Sequence, residues 1–160
     1  MKKTIFLFVA LLLPGCIFVF LKFFGENKFD VAPLYTEEYP TGAEDCGIKI
    51  TLPYRVPDSI QLKFNSQSKA YTLIHFGSIT DDSEKQMKRV KLEYKNEINL
   101  QQLPVTPETS GLKHCTFFLT EPDDLVLIDQ QGLIRGQYSS LKRKEIDRLI
   151  TELSILLKHY

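Results

Sequence analysis

Apolar and polar positions follow two different periods along residues 60–160, and the changes of period mark the predicted elements. Tyr71–Phe76 is a mostly apolar run of strand length, so it is predicted to be a buried strand. Beyond it the period becomes helical, which predicts a helix over residues 81–96. Asp81 and Glu84, three residues apart, are expected to form its capping box. Apolar side chains occupy one side of this helix and its end, at Met87, Val90, Tyr94 and Ile98.

The shorter segments around this strand and helix are read from alternation and turn composition. Residues 60–64 (IQLKF) alternate apolar and polar side chains, so we expect a strand that forms a hairpin with Tyr71–Phe76. Ile98–Leu103 is expected to be a further short strand. Residues 104–111 (PVTPETSG) are too rich in Pro, Thr, Ser and Gly for a helix. A second helix is therefore expected to be reduced or missing.

The C-terminal part carries the clearest pattern of the chain. Two apolar runs, Leu125–Asp129 and residues 133–138, flank Gly132, which can supply the positive φ of a tight turn, so a β-hairpin is predicted. Ser139 or Ser140 is expected to cap a final helix. One apolar stripe runs along that helix, at Ile146, Leu149, Ile150, Leu153 and Leu157.

The N-terminal segment predicts attachment to a membrane. Residues 4–24 are almost entirely apolar, and as a helix they would span roughly 31 Å, close to the hydrocarbon core of about 30 Å. We expect an uncleaved anchor over residues 1–25 in the inner membrane, with the C-terminal part in the oxidising extracytoplasmic space. The motif LLLPGC also resembles a lipoprotein signal, in which Cys16 would be acylated.

The remaining chain divides into a tether and a single domain. Residues 26–59 hold four of the eight prolines, which predicts an extended tether. Its apolar side chains are expected to pack on the domain of residues 60–160. The side chains expected to do so are Tyr35, Tyr39, Ile48, Ile50 and Tyr54.

Composition narrows the partner classes. The chain has 160 residues, 43% of them hydrophobic and 25% charged, as expected for one globular domain. Twenty basic residues balance twenty acidic ones, so nothing in the net charge favours nucleic acid as a partner.

The predicted order of strand, helix, strand, irregular link, hairpin and helix is that of a thioredoxin-like α/β domain. The segment LVLIDQQGLIRGQYSSLKRKEIDRLITELSILL resembles the C-terminal third of the Sco/SenC group of thioredoxin-like proteins. LKFFGENKFD resembles the juxtamembrane stretch of its bacterial members, and YTLIHFG resembles their central strand. The resemblance implies a membrane-anchored protein of copper delivery or thiol redox chemistry.

The motif that would carry this chemistry is missing. Members of the group use a C-x-x-x-C motif after the Phe-Gly and a distal His, but here Asp81 and Lys85 fall at the two cysteine positions. Neither can replace a thiolate as a Cu(I) ligand or a redox group, and TEPDD before Leu125 offers no His. We therefore expect a degenerate active-site loop, no catalytic or metal residue and no cofactor.

The expected role is a non-catalytic binding or assembly module. Its expected partners are the membrane and a membrane respiratory or assembly protein, and a small-molecule substrate is not expected.

Cys46 and Cys115 are the two cysteines outside the membrane segment. In an oxidising compartment they are expected to form a structural disulfide, with Cα atoms roughly 4.4 to 6.8 Å apart. Two alternatives stay open: a redox-active or copper-binding pair, which would make the protein a thiol oxidoreductase or copper protein, and a metal site formed with His114 and His75.

Overall fold

A computed structural model describes residues 12–20, 22, 30–64, 69–78 and 80–158. The chain forms two compact units, Met1–Asp30 and Val31–Tyr160. In the first unit residues 12–20 are helical. Within the described ranges no helix has the length and apolar character needed to cross a bilayer. Much of the expected anchor, residues 1–25, lies outside the described residues.

The second unit is a mixed α/β structure with one four-stranded sheet, as the sequence predicts at this level. Its strands are β1 (Tyr71–Phe76), β2 (Ile98–Leu103), β3 (Leu125–Asp129) and β4 (Ile134–Tyr138), in the spatial order β2-β1-β3-β4. β1 runs parallel to β2 and antiparallel to β3, which is in turn antiparallel to β4. The four strands match the predicted ones closely.

Among the described residues of this unit, four helices and one 3-10 turn accompany the sheet. They are the turn Ala43–Cys46 and the helices α1 (Asp58–Phe64), α2 (Asp81–Tyr94), α3 (Pro107–Cys115) and α4 (Arg143–Leu156). The predicted β3–β4 hairpin is confirmed. Gly132 has φ 75°, and the Asp129 carboxylate accepts bonds from the backbone N–H groups of Gln131 and Leu133, both at 2.9 Å.

One side of the sheet, the helix face, is covered by α2 and α4. Leu73, Leu125 and Leu127 of the sheet pack there against the apolar stripes of the two helices. A polar contact at the margin also joins the two helices, because Arg89 of α2 lies 2.6 Å from Asp147 of α4. The buried helix residues are Val90, Tyr94, Ile146, Leu149 and Leu153.

The other side, the tether face, is covered by irregular chain together with α1 and α3. Ile74, Val126 and Ile128 of the sheet pack there against Tyr54, Val56 and residues 117–119. Backbone bonds hold the covering chain in place: Leu34 N–H donates to Ile134 at 2.7 Å, Tyr54 N–H to Tyr35 at 2.9 Å, and Val56 N–H to Gly132 at 2.9 Å. The described part of the tether is thus an integral layer of the unit.

The tether side chains divide into two groups. Tyr35, Ile50 and Tyr54 contribute to the tether face as expected. Tyr39 and Ile48 do not, since they remain 67% and 46% exposed.

The prediction of a strand at residues 60–64 was wrong, because these residues belong to α1. The Pro57 carbonyl accepts from the N–H groups of Ile60 (2.8 Å) and Gln61 (3.0 Å), which starts a helix. Ile60 and Phe64, four residues apart, pack on the tether face, and Leu62 is 80% exposed. A five-residue alternation fits the i, i+4 spacing of a short helix as well as a strand.

The prediction that residues 104–111 cannot be helical was also wrong, and the second helix is present as the nine-residue α3. Thr106 and Thr109 form a reciprocal capping box, and Pro107 occupies the first turn. Thr and Pro favour these N-terminal positions, where the first N–H groups have no helical partner. The composition that was read as a helix breaker is a helix start signal.

Two expected caps are also placed differently. Thr80 and Ser83, rather than Asp81 and Glu84, form the capping box of α2. Lys142, rather than Ser139 or Ser140, precedes α4, and it makes no side-chain cap bond.

Candidate functional site

The loop after β1 lies where the ends of three strands meet. Phe76 N–H donates to the Asp124 carbonyl at 2.8 Å, just before β3, and Gly77 N–H donates to the Leu103 carbonyl at 3.0 Å, at the end of β2. Gly77 has φ 138°, a backbone conformation that L side chains rarely adopt. This position, at the strand ends and before a helix, is where open α/β sheets place ligands and catalytic groups.

The start of α2 satisfies its own backbone donors. The Thr80 hydroxyl accepts from Ser83 N–H at 3.3 Å, and the Ser83 hydroxyl accepts from Thr80 N–H at 2.8 Å. Asp81, Asp82 and Glu84 fill the first turn, where negative charge interacts favourably with the helix dipole. These acidic residues are therefore explained by helix stability alone.

Asp81 and Lys85, the residues that the sequence resemblance would align with two cysteines, are both exposed. Lys85 lies 3.8 Å from Asp82, and these two side chains are 76% and 82% exposed. Exposed pairs of this kind contribute at most about 1 kcal/mol to stability. The loop thus presents solvated charges where a thiol chemistry would need two sulfur atoms.

Behind the loop lies a buried polar cluster formed by His75, Asp124 and Ser140. Asp124 accepts from the Ser140 N–H at 2.6 Å and from the Ser140 hydroxyl at 2.5 Å. His75 is 2% exposed, and its Nε2 lies 3.4 Å from Asp124 Oδ2. That approach is at ion-pair range, but Nε2 has no aligned hydrogen-bond partner.

The electrostatics of the cluster favour the Asp124 carboxylate. Burial, the largest influence, raises the pKa of Asp124, but the contacts with His75 and Ser140 together outweigh it and lower the pKa below its ordinary value. The Ser140 hydroxyl donates to the Asp124 carboxylate and not to the imidazole, and a carboxylate whose pKa is lowered is a weak base for activating a hydroxyl. The cluster ties β1 to the β3–β4 hairpin.

Sequence reasoning missed Asp124 and Ser140, although a signal for their proximity existed. The predicted hairpin pairs Leu125 with Tyr138, so the residues flanking this pair must lie near each other.

Cys46 and Cys115 are joined by a disulfide, with Cα atoms 5.4 Å apart, within the range expected from the sequence. Cys46 ends the 3-10 turn of the tether, and Cys115 ends α3. Leu112 of α3 packs on the tether face, whereas α2 packs on the helix face. The disulfide therefore lies on the opposite side of the sheet from α2 and its Asp81 and Lys85.

The alternative metal set is not brought together. His75 is buried beside Asp124, and His114 Nδ1 lies 3.0 Å from the Leu119 carbonyl. The described part of the chain holds no group of three or more His, Cys, Asp or Glu side chains that could bind a metal ion.

Comparison with known proteins gives little support for any identity. No protein-family model and no curated protein matches the chain. Among solved structures, it is similar to aklavinone-11 hydroxylase, in a crystal structure of the ternary complex with FAD and aklavinone. The identity is 14% and the TM-score 0.49; the match covers 81% of this chain and 26% of the other. A likeness of this size says nothing about the function of this chain.

Proposed function

We propose that this chain is a membrane-anchored, extracytoplasmic thioredoxin-like protein of the Sco/SenC type, which acts as a binding or assembly module without copper or thiol chemistry. The observation that carries the proposal is the β1–α2 loop. It lies at the active-site edge of the sheet and begins a well-capped helix, but Asp81 and Lys85 occupy the two positions at which thiolates would be required.

The topology of the sheet supports the thioredoxin-like part. The order β1-α2-β2-α3-β3-β4-α4, on one sheet with strands arranged β2-β1-β3-β4, is the order of a thioredoxin-like domain. The presence of α3 strengthens this assignment, because a second helix is part of that order.

The position of the disulfide supports a non-catalytic role. A reactive thiol pair gains its low pKa from a helix N-terminus or a nearby cation. Cys115 ends α3 instead of beginning it, and Cys46 follows two acidic residues, Glu44 and Asp45. These surroundings favour a structural tie between the tether and α3.

The membrane part of the proposal rests on the sequence of residues 4–24. Mass spectrometry of the intact protein extracted from membranes tests it: we expect an unprocessed N-terminus. A mature chain that begins at a diacylated Cys16 would replace the anchor with a lipid.

Thiol counting and a disulfide-reduction assay test the absence of redox chemistry. We expect one reactive thiol, Cys16, in the unfolded oxidised full chain, and three after reduction. We also expect no reduction of insulin disulfides beyond that of a Cys46→Ser, Cys115→Ser variant. Insulin reduction by the parent that this variant loses would contradict the proposal and support a redox role for Cys46 and Cys115.

A further inference from the structure

The outer edge of β2 is open in the described part of the chain. β2 pairs with β1 alone and forms one end of the sheet order. Edge strands present unpaired N–H and C=O groups along their length, and proteins usually protect them with charges, prolines or bulges. β2 reads INLQQL and contains no charged residue and no proline.

A groove with a strongly basic wall runs between this strand and α2. The groove is lined by Leu100 and Gln102 of β2 and by Met87 of α2, among others. Four lysines line it, against one glutamate, Glu84. The whole chain has a formal net charge of zero, so this excess is local. The four lysines are Lys69, Lys88, Lys91 and Lys95.

Three of the lysines lie on one side of α2, and the fourth lies near the start of β2. Lys88, Lys91 and Lys95 follow each other at helical spacings of three and four residues, which places them on one side of α2. All three are exposed. Lys69, two residues before β1, donates to the Asn96 carbonyl near the start of β2. A row of positive charge thus accompanies an open backbone edge.

We propose that this groove binds an acidic, extended segment of a partner protein, which adds to the sheet as a strand beside β2. Alternate side chains of an added strand point to the same face of the sheet. Acidic residues at every second position would all point toward the lysines of α2, while the backbone bonds to β2. This inference deepens the proposed function, since it names the chemistry that a binding module would recognise.

The open strand edge is what favours a peptide over an anionic lipid surface. A lipid headgroup would be attracted by the lysines but has no use for the N–H and C=O groups of β2. An extended peptide uses both features, and the bonds to β2 would fix its register.

Fluorescence anisotropy on the full chain in a neutral detergent tests the proposal. The probe is a labelled octapeptide of alternating Glu and Thr, and its counterpart of alternating Lys and Thr is the charge control. Two further probes carry N-methyl groups, one on every Glu and the other on every Thr. Only one of these two sets of N–H groups can face β2, so we expect one methylated probe to lose at least tenfold in affinity and the other to bind like the parent peptide.

Charge variants locate the site. Lys88→Gln combined with Lys91→Gln should weaken binding of the acidic peptide about tenfold, at about threefold for each exposed lysine. Lys49→Gln combined with Lys144→Gln removes the same charge from exposed positions outside the groove, and it should leave binding unchanged. Binding by the parent should also weaken with added salt.

Several results would overturn the proposal. The first two are that the acidic peptide does not bind, or that it binds no more tightly than the basic one. The others are that the two double lysine variants lose the same affinity, or that the two methylated peptides bind with equal affinity. In phosphatidylserine nanodiscs, lysine-dependent shifts of the α2 amide resonances without peptide would assign the lysines to the lipid surface instead. None of these results affects the insulin assay, so failure of the groove and failure of the non-catalytic role are distinguishable.

Discussion

The two faces of the sheet are covered in different ways. On the helix face, α2 and α4 present regular apolar stripes, and Val90, Leu149 and Leu153 are completely buried. On the tether face the cover is irregular chain, two short helices and residues 117–119, held by backbone bonds and one disulfide. Two layers of similar burial can thus be stabilised by periodic packing in one case and by covalent and backbone ties in the other.

This difference assigns separate roles to the two faces. The β1–α2 loop and the basic groove both involve α2, which packs on the helix face. The disulfide acts on the tether face. Removal of the disulfide should therefore lower the stability of the protein more than it alters the groove. The following variants test the separation of the two faces.

The largest effect is expected from removal of the disulfide. The bond separates residues 69 positions apart, and in the chain-entropy model such a loop contributes about 4 kcal/mol to the free energy of unfolding. Cys46→Ser with Cys115→Ser should lose about this amount in chemical denaturation of the full chain. Reductant should lower the parent to a similar level and leave the variant unchanged. A variant as stable as the parent would show that the tether face does not depend on the disulfide for its stability.

Leu149→Ala is expected to cause the next largest loss in the free energy of unfolding, about 3 kcal/mol, because it truncates a fully buried side chain of α4. The loss should be the same in oxidised and reduced protein to within about 0.5 kcal/mol, since distant independent sites add. Denaturation of both forms measures it. A loss that depends on reductant would mean that the two faces are coupled through the sheet.

Acid should weaken the contact between β1 and the hairpin. The pKa of Asp124 is lowered from its ordinary value of 3.8, so its stabilisation is present above that value and is lost as pH falls through the lowered pKa. Asp124→Asn should cost about 2 kcal/mol at pH 7, where the charged hydrogen bonds are lost. The stability of this variant should also decline less than that of the parent between pH 4 and pH 2 in acid titrations. An unchanged acid titration would contradict the role of this carboxylate.

Tyr54→Phe is expected to cause the smallest loss in the free energy of unfolding, about 1 kcal/mol, because it removes one hydrogen bond. The Tyr54 hydroxyl donates to the Thr116 carbonyl at 2.8 Å, beside Cys115. Burial raises the pKa of Tyr54 to about 12, so this donor keeps its proton at neutral pH. The loss should be similar in oxidised and reduced protein, because the chain-entropy contribution of the disulfide acts on the unfolded chain and leaves this hydrogen bond in place. Tyr39→Phe, at a 67% exposed position, is the matched control and should change nothing.

The two faces also differ in how far the sequence predicts them. The stripe from Ile146 to Leu157 could be predicted from its helical period, and the four strands from their apolar content, their length and the turn signals beside them. The structure confirms both. The tether face has no period, and its residues are placed by bonds to distant backbone, such as Val56 to Gly132. Helix α3 is not apparent from the sequence because Thr106 and Pro107, which begin it, are residue types that also favour irregular chain.

The candidate site was predictable in position and less so in composition. The exit of β1 and the start of α2 place Asp81 and Lys85 near the strand ends, as the pattern indicates. The cluster of His75, Asp124 and Ser140 was missed, since it forms only when the hairpin packs beside β1.

The most direct test of the proposed function is a Cu(I) titration of a variant that carries thiols at the two positions where the proposal places lost cysteines. A Cys16→Ser background with the Cys46–Cys115 disulfide intact leaves no free thiol, and Asp81→Cys with Lys85→Cys adds a pair on one side of the first turns of α2. Under ascorbate and a competing chelator, we expect the restored pair to bind Cu(I) at least a hundredfold more tightly than the background, whose affinity should be negligible. Equal, negligible binding by both would show that this loop does not have the geometry of a lost copper site, and equal, tight binding by both would contradict the absence of copper chemistry.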